Sequence, residues 1–420
     1  MPWKETQKMN QRIEFAMKAI GAENFGRLCA QYGISRKTGY KWRERFVANG
    51  LGGMAEESRR PIGHSQALEE ATVCRIVRLK AAHPHWGPLK IRELYRRKHP
   101  GLLPSESSFK RVLERAGLTV ARKQHRSRQA GGRLCSGRKA AAPNEVWSVD
   151  FKGWWRSNNG DRVDPLTVRD EHSRMLLAFQ CPESATTEAV RACFEGLFSA
   201  HGLPEAIRSD NGTPFASSRG LLGLSRLSAW WLALGIDLER SRPGCPQDNG
   251  AHERLHLDIR RELEAGRIGR DQAAFDLWRH QYNTERPHQA LCMAVPSSIY
   301  RPSSRSYQGT PSQLHYGAME TRRVSLTTGM ICYQGHYIAI STALGGWDLG
   351  LAPKEDGQVE AWFASLLLGH IDSPTSSFKP IQPRANKTPS GFLADSATLH
   401  RPKSRSSNNT VTNPPRTCNP

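Results

Sequence analysis

Three carboxylates in three different local settings are the residues of this chain best placed to do chemistry. Asp150 closes the run Trp147-Ser-Val-Asp150-Phe-Lys, Asp210 sits in Arg208-Ser-Asp210-Asn-Gly212, and Glu253 follows Pro246-Gln-Asp-Asn-Gly250-Ala-His. The first ends an apolar run that reads as a strand, the second lies where a short strand breaks into an Asn-Gly turn, and the third falls one turn into a helix. Hard oxygen ligands suit Mg²⁺ or Mn²⁺. Two such ions about 3.5–4 Å apart can stabilise both the attacking and the leaving oxygen of an in-line displacement at phosphorus. That chemistry needs no covalent protein intermediate, so Ser148 and Ser209 are not nucleophile candidates. Taken alone, Asp210-Asn-Gly212 reads as a surface turn and Asp248-Asn-Gly250 as a turn and cap. It is the trio that points to phosphodiester chemistry with two metal ions.

Charge gives an independent indication. Residues 1–143 hold 30 Lys and Arg against 11 Glu and no Asp, a balance of +19 out of +21 for the whole chain, while the remainder is nearly neutral. Solubility does not call for such polarity; an anionic polymer bound chiefly by the amino-terminal third does.

That third reads as helical DNA-binding units. Residues 25–31 predict a helix, Tyr32-Gly33-Ile34 a turn, and Ser35 the cap of a second helix running to about Phe46. Ile34, Trp42 and Phe46 can face inward, which leaves Arg36, Lys37, Lys41, Arg43 and Arg45 available to a groove or to phosphates. A helix-turn-helix reads bases near the start of its second helix, so Arg36, Lys37 and Lys41 are the recognition candidates; the bland alternative is a solvated helix pair. After a linker around Pro61, helices are expected over 68–81, 88–98 and 106–115, the last capped by Ser105, stopped by Gly117 and bearing Lys110 and Arg111 near its start. Trp86 is expected to pack in the core of this unit. Residues 121–139 contain seven Lys or Arg and no acid, among them Arg122, Lys123, Arg126 and Arg128. They read either as a flexible tether along phosphates or as a plain disordered linker.

The acidic trio lies in a stretch of mixed α/β character. Strands are expected over 146–154, 163–168 and 175–181, then a helix over 185–201, a short strand over 205–208, a helix over 224–234, a strand over 236–241 and helices from Ala251 onward. Asp170 and Glu171 read as a strand-end turn.

Residues 144–300 resemble the integrase-type catalytic core of bacterial insertion-sequence transposases. The resemblance rests on Trp147-Ser-Val-Asp150-Phe-Lys-Gly153, Leu166-Thr-Val-Arg-Asp170-Glu-His-Ser173-Arg, Arg208-Ser-Asp210-Asn-Gly212-Thr-Pro-Phe215, Arg242-Pro-Gly-Cys-Pro246-Gln-Asp-Asn-Gly250-Ala-His-Glu253-Arg and Tyr282-Asn-Thr-Glu-Arg286-Pro-His288-Gln-Ala-Leu291, followed by Pro296. It implies an α/β, ribonuclease H-like catalytic core preceded by all-α helix-turn-helix domains and followed by a small β-barrel-like module. It also implies a catalytic and metal-binding triad of Asp150, Asp210 and Glu253, holding two Mg²⁺ or Mn²⁺ ions with Asp150 bridging them. Arg260, seven residues after Glu253, would face DNA, and the helices at 68–115 resemble a second helix-turn-helix of the same proteins. A few residues beyond the retroviral spacing between Asp210 and Glu253 fit around Arg219-Gly-Leu-Leu-Gly223.

The domains expected are 1–57 and 64–120, both helical and DNA-binding, a basic linker at 121–143, the core at 144–302, an SH3-like β module at 318–372 and a disordered tail at 373–420. The β module, expected from short strands at 324–326, 330–333, 336–340, 349–352, 359–363 and 366–370, would bind DNA or a partner subunit, or merely add stability. The nine cysteines form no Cys-x-x-Cys pair, and no zinc is assigned despite His252, His256 and His288. No secretory pattern or bilayer-length apolar run is apparent, so a bacterial cytoplasm, at the nucleoid when DNA-bound, is the expected setting. The expected function is a transposase that binds the terminal inverted repeats of an element as a homo-oligomer on double-stranded DNA, cleaves a strand and transfers it to target DNA. A DNA-binding regulator with an inactive core, or a ribonuclease H-like nuclease that does not join, are the alternatives.

Overall fold

The computed structural model describes residues 8–56, 68–119, 137–242, 249–355, 357–372 and 376–381. The chain forms two units, 1–69 and 70–420. In the first, α1 (Lys8–Ile20), α2 (Phe25–Gln31) and α3 (Arg36–Asn49) close over Phe15, Ala16, Cys29, Trp42 and Met54. The Ser35 hydroxyl accepts from Thr38 N at 3.2 Å, which sets the start of α3 as the sequence suggests. At Gly39 an added Cβ would stand 2.5 Å from Cys29 Sγ, so α3 can cross this near to α2 only with glycine there. The helix α1, which the sequence reading did not anticipate, supplies Phe15 and Ala16 to this core.

The second unit begins with α4 (Glu70–Ala82), α5 (Pro88–Lys98) and α6 (Glu106–Arg115), packed around Ile76, Ile91, Leu94, Tyr95, Phe109 and Leu113. Ser105 caps α6 through Ser108 N. Trp86 is buried and stacks on His83, and the Lys80 ammonium donates to the Pro84 and Trp86 carbonyls to hold that loop.

A mixed five-stranded sheet follows. Its elements in chain order are β1 (Val146–Phe151), the short hairpin β2 (Trp155–Arg156) and β3 (Arg162–Val163), β4 (Leu166–Asp170), β5 (Leu176–Gln180), α7 (Thr187–His201), β6 (Ala206–Ser209), α8 (Arg226–Ala233), β7 (Asp237–Arg240), α9 (Gly250–Ile259), α10 (Gln272–Thr284) and α11 (Pro296–Ile299). The strand order is β5-β4-β1-β6-β7. Strands β1, β4 and β5 run as an antiparallel meander, and β6 and β7 lie parallel to β1 and to each other, as crossovers through α7 and α8 require. This is the ribonuclease H-like arrangement of an integrase core. One face packs Trp147, Val149 and Val168 against Phe194 and Phe198 of α7 and Trp230 and Trp231 of α8. On the other, Leu176 and Phe179 meet Leu255 and Ile259 of α9 and Phe275 and Trp278 of α10. Strand β1 ends at Phe151, three residues before the expected bound. Gly153 takes φ +85°, which breaks the extended run and starts the β2–β3 hairpin.

Helix α8 is apolar all round because it serves two cores. Leu227, Trp230 and Trp231 face the catalytic sheet, while Ala229, Leu232 and Ala233 join Leu349, Leu351, Val359, Phe363 and Leu368 of a carboxy-terminal β layer. That layer is an antiparallel sheet in the order β14-β13-β12-β11-β8, with β8 (Glu320–Arg323), β11 (Asp348–Pro353), β12 (Gln358–Phe363), β13 (Leu366–Asp372) and β14 (Ser377–Pro380), and a separate hairpin of β9 (Met330–Tyr333) and β10 (His336–Ala339). Two expectations are corrected here. The first strand is 320–323 rather than 324–326: it is a polar edge strand, Glu-Thr-Arg-Arg, without the alternation by which strands are recognised. The last strand, β14, lies within the segment expected to be a disordered tail, pairing with β13 and seating Phe378 opposite Ile371. Among the described residues, no helix is long and apolar enough to cross a membrane.

Candidate active site

Asp150 sits on the central strand β1, and the pleat explains its surroundings. Trp147 and Val149 point to the apolar face, so Ser148 and Asp150 point to the other, beside Arg169 and Thr167 of the antiparallel partner β4. This polar strip is covered by α9. His252, fully buried, places Nδ1 2.8 Å from Ser148 Oγ and Nε2 2.6 Å from Thr167 Oγ1. His256 Nε2 lies 3.0 Å from the same Thr167 oxygen, which is itself 3.0 Å from the Asp150 carbonyl.

One assignment of protons satisfies all four contacts. The Thr167 hydroxyl donates to the Asp150 carbonyl and accepts Nε2–H from both imidazoles, and His252 Nδ1 accepts from Ser148. It requires a neutral His252, whose Nδ1 accepts, and is met by a neutral His256 as well. Burial, together with the charges of neighbouring Lys152 and Arg169, pushes His256 down to about 3; burial also holds His252 well below the ordinary range. Arg169, buried, donates to the Ala251 carbonyl at 2.5 Å and pairs with Glu171. The first turns of α9, with Glu253 on them, are thus pinned to β1 and β4.

Asp210 follows the last residue of β6, on a turn held from several sides. The Gly212 N–H donates to Asp210 Oδ1 at 3.1 Å, and an added Cβ at Gly212 would come within 2.9 Å of that carboxylate. Arg240 of β7 donates to Ser209 Oγ at 2.7 Å, to the Asp210 carbonyl at 3.3 Å and to the Phe215 carbonyl at 2.8 Å; burial lowers its pKa to about 10. Asn211 donates to the Ser241 carbonyl.

Strand, turn and helix bring the three acids into one electrostatic field. The Asp150 carboxyl is pushed up to about 7, first by burial, then by the charge of Asp210 and, more weakly, by that of Glu253, against a hydrogen bond from the Phe151 N–H. Asp210 and Glu253 are exposed. Among the described residues no three His, Cys, Asp or Glu side chains stand close enough to enclose an ion, so the coupling is through charge and not through ligating contact. The donor set is nonetheless all carboxylate, with both nearby imidazoles engaged on Thr167. A partly buried acid that resists ionising beside two others fits a hard divalent cation, which would offset the repulsion.

The other sequence candidates fall into distinct groups. Arg36, Lys37 and Lys41 are exposed on α3, as a recognition surface needs. Arg43 and Arg45 are half-buried, Arg43 lying over Phe25 and Tyr40 and Arg45 over Trp42, so part of their role is packing. Lys110 and Arg111 are exposed on α6, and Arg260 is exposed at the end of α9, 3.6 Å from Glu264. Arg122, Lys123, Arg126 and Arg128 lie outside the described residues. Asp170 is structural: its oxygens accept from Asn144 N, Ser173 N and Ser173 Oγ.

Sequence reasoning missed the His252 bridge, the Arg240 brace and a clamp at Arg286. The Arg286 guanidinium, almost fully buried, binds Asp258 at 2.7 Å and Glu262 at 2.8 Å, and Trp278 Nε1 donates to Glu262 at 2.7 Å. Asp258 belongs to α9 and Glu262 to the π-helical turn Arg260–Glu264 that prolongs it. The available signal for the His252 bridge was the pair of hydroxyls Ser148 and Thr167, on neighbouring strands, with histidines spaced i, i+4 at 252 and 256.

Comparison with known proteins agrees with this architecture. The integrase core domain family matches residues 140–246 and a second integrase core domain family matches 234–296. A helix-turn-helix domain family matches 11–62 and a homeodomain-like domain family 38–113. The chain is similar to the "Insertion element IS407 uncharacterized 31.7 kDa protein" of Burkholderia multivorans, at 28% identity over 55% of this chain and 80% of that one. It is also similar to the "Insertion element IS476 uncharacterized 39.2 kDa protein" of Xanthomonas euvesicatoria, at 27% identity over 61% of this chain and 72% of that one. Among solved structures, the HTLV-2 integrase catalytic core domain in complex with magnesium matches 39% of this chain over its whole length at 15% identity, with a TM-score of 0.29, too low to support any conclusion. The chain carries an integrase core domain behind amino-terminal helix-turn-helix domains and is similar to proteins of bacterial insertion elements.

Proposed function

We propose that the chain is a polynucleotidyl transferase that binds the terminal inverted repeats of its element, cleaves one strand at each end and joins the freed 3′-hydroxyl to target DNA. The observation that carries this reading is the Asp150 carboxyl at the end of the central strand, pushed up to about 7 first by burial and then by the charges of Asp210 and, more weakly, Glu253. Asp150 would contact two divalent ions, with Asp210 and Glu253 completing one site each; Mg²⁺ or Mn²⁺ would supply charge neutralisation at the phosphoryl oxygens. In the first step water attacks phosphorus in line, the bond to the 3′-oxygen breaks and that oxygen leaves as a hydroxyl. In the second, this hydroxyl attacks a target phosphodiester, and the displaced target strand leaves with its own 3′-hydroxyl.

The chain's own residues set the geometry. The strand fixes Asp150, the braced turn presents Asp210, and the pinned helix presents Glu253. Ser148 is occupied by His252, and Ser209 by Arg240 and the Asp210 carbonyl, which suits a route without a protein nucleophile. The α3 helix would enter the major groove of each end and α6 would add a second contact, with two or more copies of the chain on paired ends. The carboxy-terminal sheet and hairpin would act as a barrel-like module touching DNA or a neighbouring copy.

A labelled element end and a plasmid target test the reading together. Nicking followed by joining supports it, nicking alone leaves a nuclease, and binding alone leaves a regulator. Specificity has its own test in the full chain. Replacing Arg36, Lys37 and Lys41 with Ala should reduce preference for the end over random DNA, whereas replacing Arg122, Lys123, Arg126 and Arg128 should weaken both alike and flatten the salt dependence. Equal losses in the two variants, measured by competition binding, would remove α3 from the recognition role.

A further inference from the structure

Trp154 is a large apolar side chain left half in solvent, 54% exposed, next to a tryptophan that is buried. The difference is built in. Gly153 turns the chain out of β1, and the alternation of β2 then sends Trp155 inward, where its Nε1 donates to the Ile268 carbonyl at 2.8 Å, and leaves Trp154 and Arg156 outside. The Arg156 guanidinium lies 6.0 Å and that of Arg162 5.3 Å from the Trp154 ring. Arg156 and Arg162 are also directly opposed across the β2–β3 ladder.

Like charges directly opposite on a ladder destabilise it. Here both are exposed, and one carboxylate, Asp164, at 3.2 Å from Arg162, offsets part of the charge. The hairpin is nevertheless well held: Ser157 N donates to the Asp161 carbonyl, Asp161 N to Ser157 Oγ, and Asn158 N to the Arg267 carbonyl. An exposed indole flanked by two guanidiniums on a firm hairpin offers a face for stacking and two positive charges beside it. That is the combination by which proteins hold unpaired nucleic acid. Trp154 lies four positions after Asp150, a span of at most about 14 Å of extended chain.

We propose that Trp154, Arg156 and Arg162 form a platform for an unpaired base of the DNA strand held at Asp150, with the base stacked on the indole and its flanking phosphates on the two guanidiniums. The proposal rests on the reading that this core acts on DNA. In that setting the hairpin holds the strand apart from its complement beside the acids.

The test is fluorescence anisotropy of the full chain with three labelled DNAs of one sequence: a single strand, a blunt duplex and a duplex with a short 3′ overhang. Trp154→Ala, at an exposed position, should weaken binding of the single strand and the overhang by between about fivefold and a hundredfold. Blunt duplex should change by less than about twofold, and Trp154→Phe should restore most of the loss. Arg156→Gln with Arg162→Gln should lower the slope of log affinity against log salt for the single strand by about 1.4. Unchanged overhang binding by Trp154→Ala, or equal losses on blunt and overhang DNA, would overturn the platform while leaving the DNA reading intact. Failure of the natural chain to bind any of the three would overturn both.

Discussion

Asp150→Asn should melt at a higher temperature than the natural chain in chelator-treated buffer above pH 7, and should have lost strand cleavage and joining in Mg²⁺. Both results follow from the same cause. The folded state raises the Asp150 pKa to about 7 through burial and the charges of Asp210 and Glu253, whereas an unfolded Asp titrates near 3.9. The native chain therefore binds more protons than the unfolded one between those values, and stability falls as pH rises through the folded pKa. The contribution is complete below about pH 4 and gone above pH 7, so the Asn variant should gain nothing at pH 4 and most at pH 8. Each kcal/mol is worth roughly 2–4 °C in a domain of this size. Adding Mn²⁺ should raise the melting temperature of the natural chain and leave that of the variant unmoved. Activity should drop by about a thousandfold or more, because the group that would contact both ions has lost its charge. A variant no more stable than the natural chain at pH 8, or one that still nicks DNA, would detach Asp150 from this role.

Arg286→Met should be the most damaging single change away from the acids. It keeps the length and apolar stem of the side chain but leaves Asp258 and Glu262 facing each other where Arg286 had paired with both. Removing one partner of a buried ion pair costs about 3–5 kcal/mol, because the remaining charge stays unpaired. Lys90 moderates the loss. Burial, and next the Arg286 charge, push its ammonium down to about 8, so in buffer near or above that pH it should regain charge once Arg286 is gone. Since Asp258 lies on α9, the same change should loosen the helix that carries Glu253. Urea unfolding should show the loss, and amide exchange should show faster opening over 250–264. A shift in stability below about 1 kcal/mol would mean that the clamp is not a structural element.

What was legible in the sequence, and what was not, follows from the kind of signal each element leaves. Ser35 and Ser105 stand before helices as caps, and both cap in the structure. The turn residues around Asp210 and the apolar runs before Asp150 and Asp210 mark strand ends, and the meander followed by alternating helix and strand follows from them. Strand β8 was misplaced and β14 passed over because edge strands with polar side chains show no alternation. The arginines at 43 and 45 read as free because a helix wheel shows their charge but not the aromatic rings they lie on. On sequence His252 reads only as a candidate metal ligand. Its bridge joins residues 148, 167 and 252, and no local pattern announces contacts so far apart in the chain.

The most direct test of a carboxylate-held metal centre is diffraction from crystals of the natural chain soaked in Mn²⁺, measured at a wavelength where manganese scatters anomalously. Anomalous peaks are expected bounded by the carboxylates of Asp150, Asp210 and Glu253, the one nearest Asp150 persisting at the lowest Mn²⁺ concentration, with no peak there in Asp150→Asn crystals. Manganese bound elsewhere with this group of acids empty at saturating ion, or a site that survives the loss of Asp150, would contradict it.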